Sequence, residues 1–459
     1  MYGKSILFSL CAMGLMASPL LAAPQAELDG SCFSISEGVD DSVLSQIKAD
    51  MGKVEDASQL AFALSEVKNE DLAKLCKAFP DMYGLSIEDS EELTSIAPVA
   101  GLKKLKRFSL SLDGVADFSP LAGLASLEEI DIVCQAISDL KWMKGLVKLE
   151  SIKIDGGSDA VSDDAVVKKV ASFEGLPSLP NLDEVQLSNC APADLTPLAA
   201  AFPGLVKLDL SNCVIKDLSP LAKLSKLEDL SLYGAHVKDF SPLAGCPALE
   251  TLNYYATKGA DYSTLGKLTQ VKELNGGLTE LADISWMAGM KNLRSFDLFS
   301  EKVADYSPMA SSGVEQLQIW KMSVPQDLTS LGSVKTLTDL KLWDLNGMKG
   351  AAALASLPRL AKLTLDGVNA ESGDPVDLSF LGKLSSLKEL VIHGSKVVNF
   401  DAVAGCKALE TADIREAKGI ASLAALKKLP ALTSLTVAED AFPDAELQGF
   451  DPRVEISKR

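Results

Sequence analysis

Histidine is nearly missing: His236 and His393 are the only two in 459 residues, and more than 150 positions separate them. No Ser-His-Asp triad, Cys-His pair or histidine-based zinc set can be assembled from that supply. Cations are also short. Lys and Arg number 44 against 63 Asp and Glu, a net charge of −19. That balance argues against nucleic acid, whose phosphates demand a basic surface, and against attraction to anionic lipid. Aromatics make up 6% of the chain, so its apolar mass is mostly Leu, Ala and Val. The paired glycines Gly156-Gly157 and Gly276-Gly277 match no phosphate-loop spacing. Counting does not remove a glycosidase-like carboxylate dyad from an acidic surface. No residue pattern singles one out, so no catalytic residue, metal ligand or cofactor is assigned and the chain is not expected to be an enzyme.

Long apolar runs are absent except at the start. Lys4 precedes an apolar stretch from Ile6 to Met16, followed by Pro19, Ala22 and Ala23. This is the layout of a secretory signal peptide over residues 1–23, too short for a comfortable membrane span. Pro24 disfavours cleavage after Ala23, and cleavage after Ala22 avoids it. The surroundings of Cys11 fit a lipoprotein signal poorly. The mature protein is expected to be monomeric, to lack a transmembrane segment, and to be periplasmic, cell-surface or secreted. It would keep seven of the eight cysteines. An odd number leaves at least one outside any internal bridge. Cys32 and Cys76 precede the regular part of the chain, where a bridge between them would pin the N-terminus.

What the sequence has in abundance is a repeat of about 22 residues. Residues 205–221 read LVKLDLSNCVIKDLSPL, residues 227–243 read LEDLSLYGAHVKDFSPL, and residues 105–121 read LKRFSLSLDGVADFSPL. The shared L-x-x-L-x-L core is the leucine-rich-repeat pattern, the signature of a solenoid. In L-x-L both leucines point inward and the residue between them points out. The expected fold is therefore an α/β solenoid. It has a parallel β-sheet on the concave face, short helices or 3-10 turns on the convex side, and a helical N-terminal cap. About 16 strands are expected. Their first core residues are Leu85, Phe108, Ile130, Ile152, Val185, Leu208, Leu230, Leu252, Leu274, Phe296, Leu317, Leu340, Leu363, Leu390, Ala412 and Leu435. The expected organisation is a cap over 24–80, repeats over 81–450 with insertions near 156–180 and 369–377, and a closing strand or tail over 451–459. Within the cap, Leu44, Ile47 and Met51, then Leu60, Phe62, Leu64 and Val67, predict two helices.

After each strand, a segment such as Asp217-Leu218-Ser219-Pro220-Leu221 turns the chain back. Ser219 is placed to cap a short helix, Pro220 tolerates the first helical position, and Asp217 can accept turn amides. Trp142 and Trp286 replace the proline and are expected to pack on the convex side. With this device, the repeat resembles the bacterial internalin type of leucine-rich repeat over roughly residues 81–450. The resemblance implies an exported protein that binds other proteins on its concave sheet. Two features depart from the pattern. The buried Asn of each repeat is replaced at Asp113, Gln135, Cys190, Cys213, Ala235 and Thr257. No Leu-Pro-x-Thr-Gly sorting motif is found, so wall anchoring is not expected, and a Gram-negative-like envelope is favoured. Cys190 and Cys213 occupy equivalent positions and are read as small core residues in the Asn slot rather than a metal or redox pair. The acidic insertion from Asp155 to Glu174, with Asp159, Asp163 and Asp164, does not match a 12-residue calcium loop. It is read as a solvated turn entering a helix over Val166–Phe173.

The sharpest functional pattern is the outward residue just after the second strand leucine. From Tyr233 it runs Tyr233, Tyr255, Gly277, Phe299, Trp320, Trp343, Asp366, His393 and Arg415. Only 26 residues in the chain are aromatic (4 Trp, 7 Tyr, 15 Phe), and five of the six consecutive repeats from Tyr233 to Trp343 place one there. Such a stripe marks an interaction surface, and Trp and Tyr are preferred anchors of protein interfaces. The expected ligand is a protein gripped by the stripe and its charged neighbours Asp366, His393 and Arg415. Three other readings fit the same positions: a glycan stacked on the rings, rings that only shield one another, and an envelope solenoid with no discrete ligand.

Overall fold

The computed structural model describes residues 25–157, 170–257, 259–277, 281–300, 302–320, 326–371 and 374–459. The expected signal peptide, residues 1–23, lies outside them, as do Asp159, Asp163 and Asp164 of the acidic insertion. The chain divides into two compact units. The first takes in the described residues up to Val237 with Gly245–Ala248, and the second takes in Lys238–Ala244 with Leu249–Arg459.

In the first unit the strands are β1 (Gln25–Asp29), β2 (Cys32–Ser36), β3 (Ala61–Ser65), β4 (Gly84–Glu88), β5 (Arg107–Ser111), β6 (Glu129–Val133), β7 (Ser151–Asp155), β8 (Glu184–Ser188), β9 (Lys207–Asp209) and β10 (Asp229–Ser231). In the second they are β11 (Thr251–Asn253), β12 (Glu273–Gly277), β13 (Ser295–Phe299), β14 (Gln316–Trp320), β15 (Asp339–Trp343), β16 (Lys362–Asp366), β17 (Val376–Asp377), β18 (Glu389–His393), β19 (Val397–Val398), β20 (Thr411–Asp413), β21 (Ser434–Val437) and β22 (Glu455–Lys458). β17 and β19 form a separate two-stranded ladder.

Each of the sixteen named core residues lies on a strand and is at most 2% exposed. Their register is direct. In the first unit Leu85 is opposite Phe108, then Ile130, Ile152, Val185, Leu208 and Leu230 in turn. In the second, Leu252 opens a row through Leu274, Phe296, Leu317, Leu340, Leu363, Leu390, Ala412 and Leu435 to Ile456. All these pairings are parallel, because each repeat returns through its turn and 3-10 segment before adding the next strand. The leucine-rich-repeat solenoid read from the sequence is thus the fold of each unit.

The N-terminal end departs from expectation. The first cap helix is present as α1 (Asp41–Asp50), with the Asp40 carboxylate accepting the Ser42 and Val43 amides at 2.8 and 2.9 Å. The second is not where the spacing predicted it. Leu60, Phe62 and Leu64 alternate with a period of two, and that segment is β3, paired in parallel with β2 and β4. The helix follows as α2 (Asn69–Ala78). An antiparallel β1–β2 hairpin precedes both helices. The expected Cys32–Cys76 bridge is absent. Cys76 is a free thiol packed on the buried side of α2 with Leu72 and Leu75. Burial there raises its pKa to about 12. Of the helix expected over Val166–Phe173, only Val170–Phe173 is described, and it is not helical. Val170 and Phe173 are fully buried, while the Val170 and Ala171 carbonyls accept the Ala191 and Ala193 amides.

The turn device works through its aspartate rather than its serine. The Asp217 carboxylate accepts the Ser219 amide at 2.8 Å, and the same bond recurs at Asp117, Asp194, Asp239, Asp261, Asp283, Asp305, Asp327 and Asp377. Ser219 makes no cap bond and is the first residue of a 3-10 helix, Ser219–Lys223. The expected replacement of the Asn ladder also has a physical form. Cys213 Sγ, wholly buried, donates to the Leu187 carbonyl at 3.1 Å, and Ser395 Oγ donates to the Leu365 carbonyl at 3.1 Å. Trp142 and Trp286, each 8% exposed, donate Nε1–H to the carbonyls of Asp139 and Asp283 at 3.1 and 3.0 Å.

Candidate functional site

Every strand of the L-x-L type presents two side chains outward: the residue between the leucines and the one after the second. A left-handed residue then ends many strands, as at Asp89, Asn189, Asn212, Gly234, Ala256, Asp344, Gly367, Gly394 and Glu416. This turn stops the ladder one residue after the outward position. The outward residue is thereby held at the sheet margin while the chain leaves for the next 3-10 segment. The recurring left-handed site had a partial signal in the sequence, the frequent Gly, Asn or Asp. Ala256 and Glu416 hide it.

In the second unit, the predicted stripe is a stack. Tyr255 and Phe299 lie nearly parallel, 7° apart with centroids 6.5 Å apart. Trp320 stacks on Phe299 at 5.3 Å and on Tyr255 at 5.9 Å. The gap in the stripe, Gly277, makes this possible. A side chain there would occupy the space of the Tyr255 ring and would stand 3.0 Å from Phe299 Cβ. Its neighbour Gly276 does the same on the inner face, making room for the fully buried ring of Tyr254. Trp343 is opposite Trp320 in register and is 39% exposed. Trp320 Nε1 has no acceptor among the described residues. Tyr233 belongs to the first unit, where it is 42% exposed and its carbonyl accepts the Asn212 amide at 2.6 Å.

The charged residues that follow Trp343 also come together. Trp343 is in register with Asp366, and Asp366 with His393. His393 Nε2 is 3.0 Å from Asp413 Oδ1, and Nδ1 is 3.7 Å from Asp366 Oδ2. Arg415 holds the other side of Asp413, with its Nη2 at 2.8 Å from Oδ2 and its Nε at 3.0 Å from Oδ1. Burial pushes the Asp413 carboxyl up, but the hydrogen bonds from Arg415 and His393 outweigh it and hold the group below its ordinary value. Asp413 was missed in the sequence because it occupies the other outward position, between Ala412 and Ile414.

Beside the rings, on β13, β14 and β15, is a polar depression of about 200 Å³. Ser295, Asp297, Gln316, Gln318, Asp339 and Lys341 line it. Burial raises the pKa of both Asp297 and Asp339, with Lys341 pulling the other way. Neither carboxylate has an ion pair or a side-chain hydrogen bond among the described residues. Among those residues no group of three His, Cys, Asp or Glu is placed to hold a metal ion, and no helix is long and apolar enough to cross a membrane.

A family model described as leucine-rich repeats, two copies, matches residues 203–245. No curated protein matches the sequence. A leucine-rich-repeat protein of Leptospira interrogans is similar in structure with a TM-score of 0.51 at 15% identity, over 92% of this chain and 93% of that one. The mouse RP105/MD-1 complex is similar with a TM-score of 0.51 at 18% identity, over 78% of this chain and 67% of that one. An internalin from Listeria monocytogenes is 19% identical over 86% of this chain and 94% of its own, with a TM-score of 0.40. The chain is a leucine-rich-repeat protein.

Proposed function

We propose that this chain is an exported, non-catalytic binding protein, and that it recognises a protein partner through the outer face of its sheet around Tyr255, Phe299, Trp320 and Trp343. Leucine-rich-repeat proteins are generally binding scaffolds rather than catalysts, and one of the similar structures was solved as a complex of two proteins. The observation that carries the reading is the ring stack. Tyr255, Phe299 and Trp320 stack on one another while remaining only half-buried, and Trp343 extends the same surface. Rings already held against one another lose little side-chain entropy on binding, which is what an interface anchor requires. The Asp366–His393–Asp413–Arg415 cluster is assigned to the rim.

Replacing Trp320 and Trp343 together by Ala tests the reading. The variant should keep the circular dichroism spectrum and melting curve of the parent while losing a partner captured by the parent. Collapse of the fold would make the rings structural, and retention of the partner would remove the stack from the interface. Signals on a glycan array with no captured protein would favour sugar stacking instead. Export is proposed from Lys4 and the Ile6–Met16 run. Mass spectrometry of the mature chain should then place its N-terminus at Ala23 or Pro24.

A further inference from the structure

The aromatic shelf and the polar depression occupy the same three strands. Parallel register sets Asp297, Gln318 and Lys341 in one row, and Trp320 and Trp343 in the row two residues on. Two residues along a strand span roughly 7 Å. Asp297 thus stands about one arginine length from Phe299, and Asp339 is on the strand that carries Trp343. Among the described residues these two half-buried carboxylates have no contact partner, only the longer-range pull of Lys341 and, at Asp339, of Lys362, and burying a carboxylate without direct hydrogen bonds is costly. The lining has one cation, Lys341, against these two acids, and Glu273 adds a further negative charge near Asp297. An anion is disfavoured on that count and by the chain's net charge of −19. A neutral sugar would stack on the rings and donate hydroxyls to the carboxylates, but it would leave their negative charge uncompensated. A guanidinium uses both: its planar fork bonds carboxylates and its flat face stacks on aromatic rings.

We propose that the face formed by β13, β14 and β15 binds a basic segment of a protein partner, with an arginine side chain crossing the Phe299–Trp320 shelf and its guanidinium seated between Asp297 and Asp339. This deepens the binding role proposed above and rests on it.

The test uses the full chain and a fluorescein-labelled peptide, (Gly-Arg)4 amide, followed by fluorescence anisotropy at physiological salt. Loss of two charge-assisted hydrogen bonds predicts that the Asp297→Asn/Asp339→Asn double variant binds the peptide about tenfold or more weakly. A control with the same charge change on exposed residues of the same unit, Glu439→Gln/Asp440→Asn, should stay within about twofold of the parent, as expected for distant surface charges. The lysine peptide (Gly-Lys)4 should bind less well than the arginine peptide. Equal loss in the two double variants would reduce the effect to diffuse attraction and overturn the proposal. Preference for (Gly-Glu)4, or no binding of the arginine peptide by the parent, would overturn it as well. If Trp320→Ala/Trp343→Ala abolishes partner capture while Asp297→Asn/Asp339→Asn changes neither partner nor peptide binding, the shelf stands and the arginine seat falls.

Discussion

Tyr255 rests its ring over the empty place of Gly277, one strand further along the sheet. On the opposite face of the same strand, Tyr254 fills the place left by Gly276. Two adjacent glycines therefore hold two adjacent tyrosines, one facing solvent and one in the core. Substituting each glycine by alanine should separate the two roles. Gly276→Ala forces a methyl into a fully buried ring and should cost about 1–3 kcal/mol, the usual range for overpacking, read as a lower urea midpoint. Gly277→Ala displaces a half-exposed ring and should change stability little. It should alter the near-ultraviolet circular dichroism of the stack and weaken partner binding. Equal destabilisation by the two variants would show that the outer ring is as constrained as the inner one.

The repeated aspartates make the protein acid-sensitive in a defined window. Asp239, Asp283 and Asp305 are held below their ordinary pKa first by the amide two residues on and then by its hydroxyl; at Asp327 and Asp377 the hydroxyl leads. A carboxylate whose pKa is lower folded than unfolded stabilises the fold above the unfolded value, 3.8 for Asp, and that contribution is lost as pH falls through the folded value. Stability should be flat in this respect above about pH 5 and should decline below 4. Changing all five to Asn, which still accepts the amide, should flatten the acid limb of a pH–urea series. An unchanged limb would place the acid sensitivity elsewhere.

Ala256 occupies the left-handed turn with φ of +57°, where other repeats carry Gly234, Gly367 or Gly394. The Cβ there is strained against its own carbonyl. Ala256→Gly should raise stability by about 1 kcal/mol, the relief of strain exceeding the extra entropy of the unfolded glycine. A loss of stability on denaturant titration would mean the methyl makes a contact worth more than the strain it carries.

The thiols should be inert in the native protein. Burial raises Cys76 to about 12 and Cys246 and Cys406 to about 11. Cys246 and Cys406 each donate to a carbonyl 25 residues earlier, at 3.2 and 3.1 Å. Iodoacetamide at pH 8 should leave all three unmodified in the folded chain and alkylate them in urea, as peptide mapping would show. Rapid native labelling of Cys76 would show that α2 opens without global unfolding.

The sequence by itself determined the repeat, its strands and which side chains face the core. An L-x-L alternation repeated every 22 residues or so has one way to bury its leucines, and one strand must stack on the next in direct register. It also placed Tyr255, Phe299, Trp320, Trp343, Asp366, His393 and Arg415 on a single outward row, because that row is a matter of counting from the leucine. Where counting lost its reference, the reading failed. Phe62 stands 23 residues before Leu85 and opposite it in register, but Gln59 fills the place of the frame's first leucine, and an apolar run so short does not distinguish helix from strand. The close contacts needed the tertiary structure. Gly277 looked like a break in the stripe, and only three-dimensional packing shows the Tyr255 ring leaning into its space beside the Phe299 Cβ. Asp297 could be read as a polar residue flanking the stripe, but Asp339 and Asp413 were hidden among 63 acids, and the meaning of all three depends on neighbours one or two strands away. Periodicity fixes direction along a strand; distance and burial between strands come from the fold.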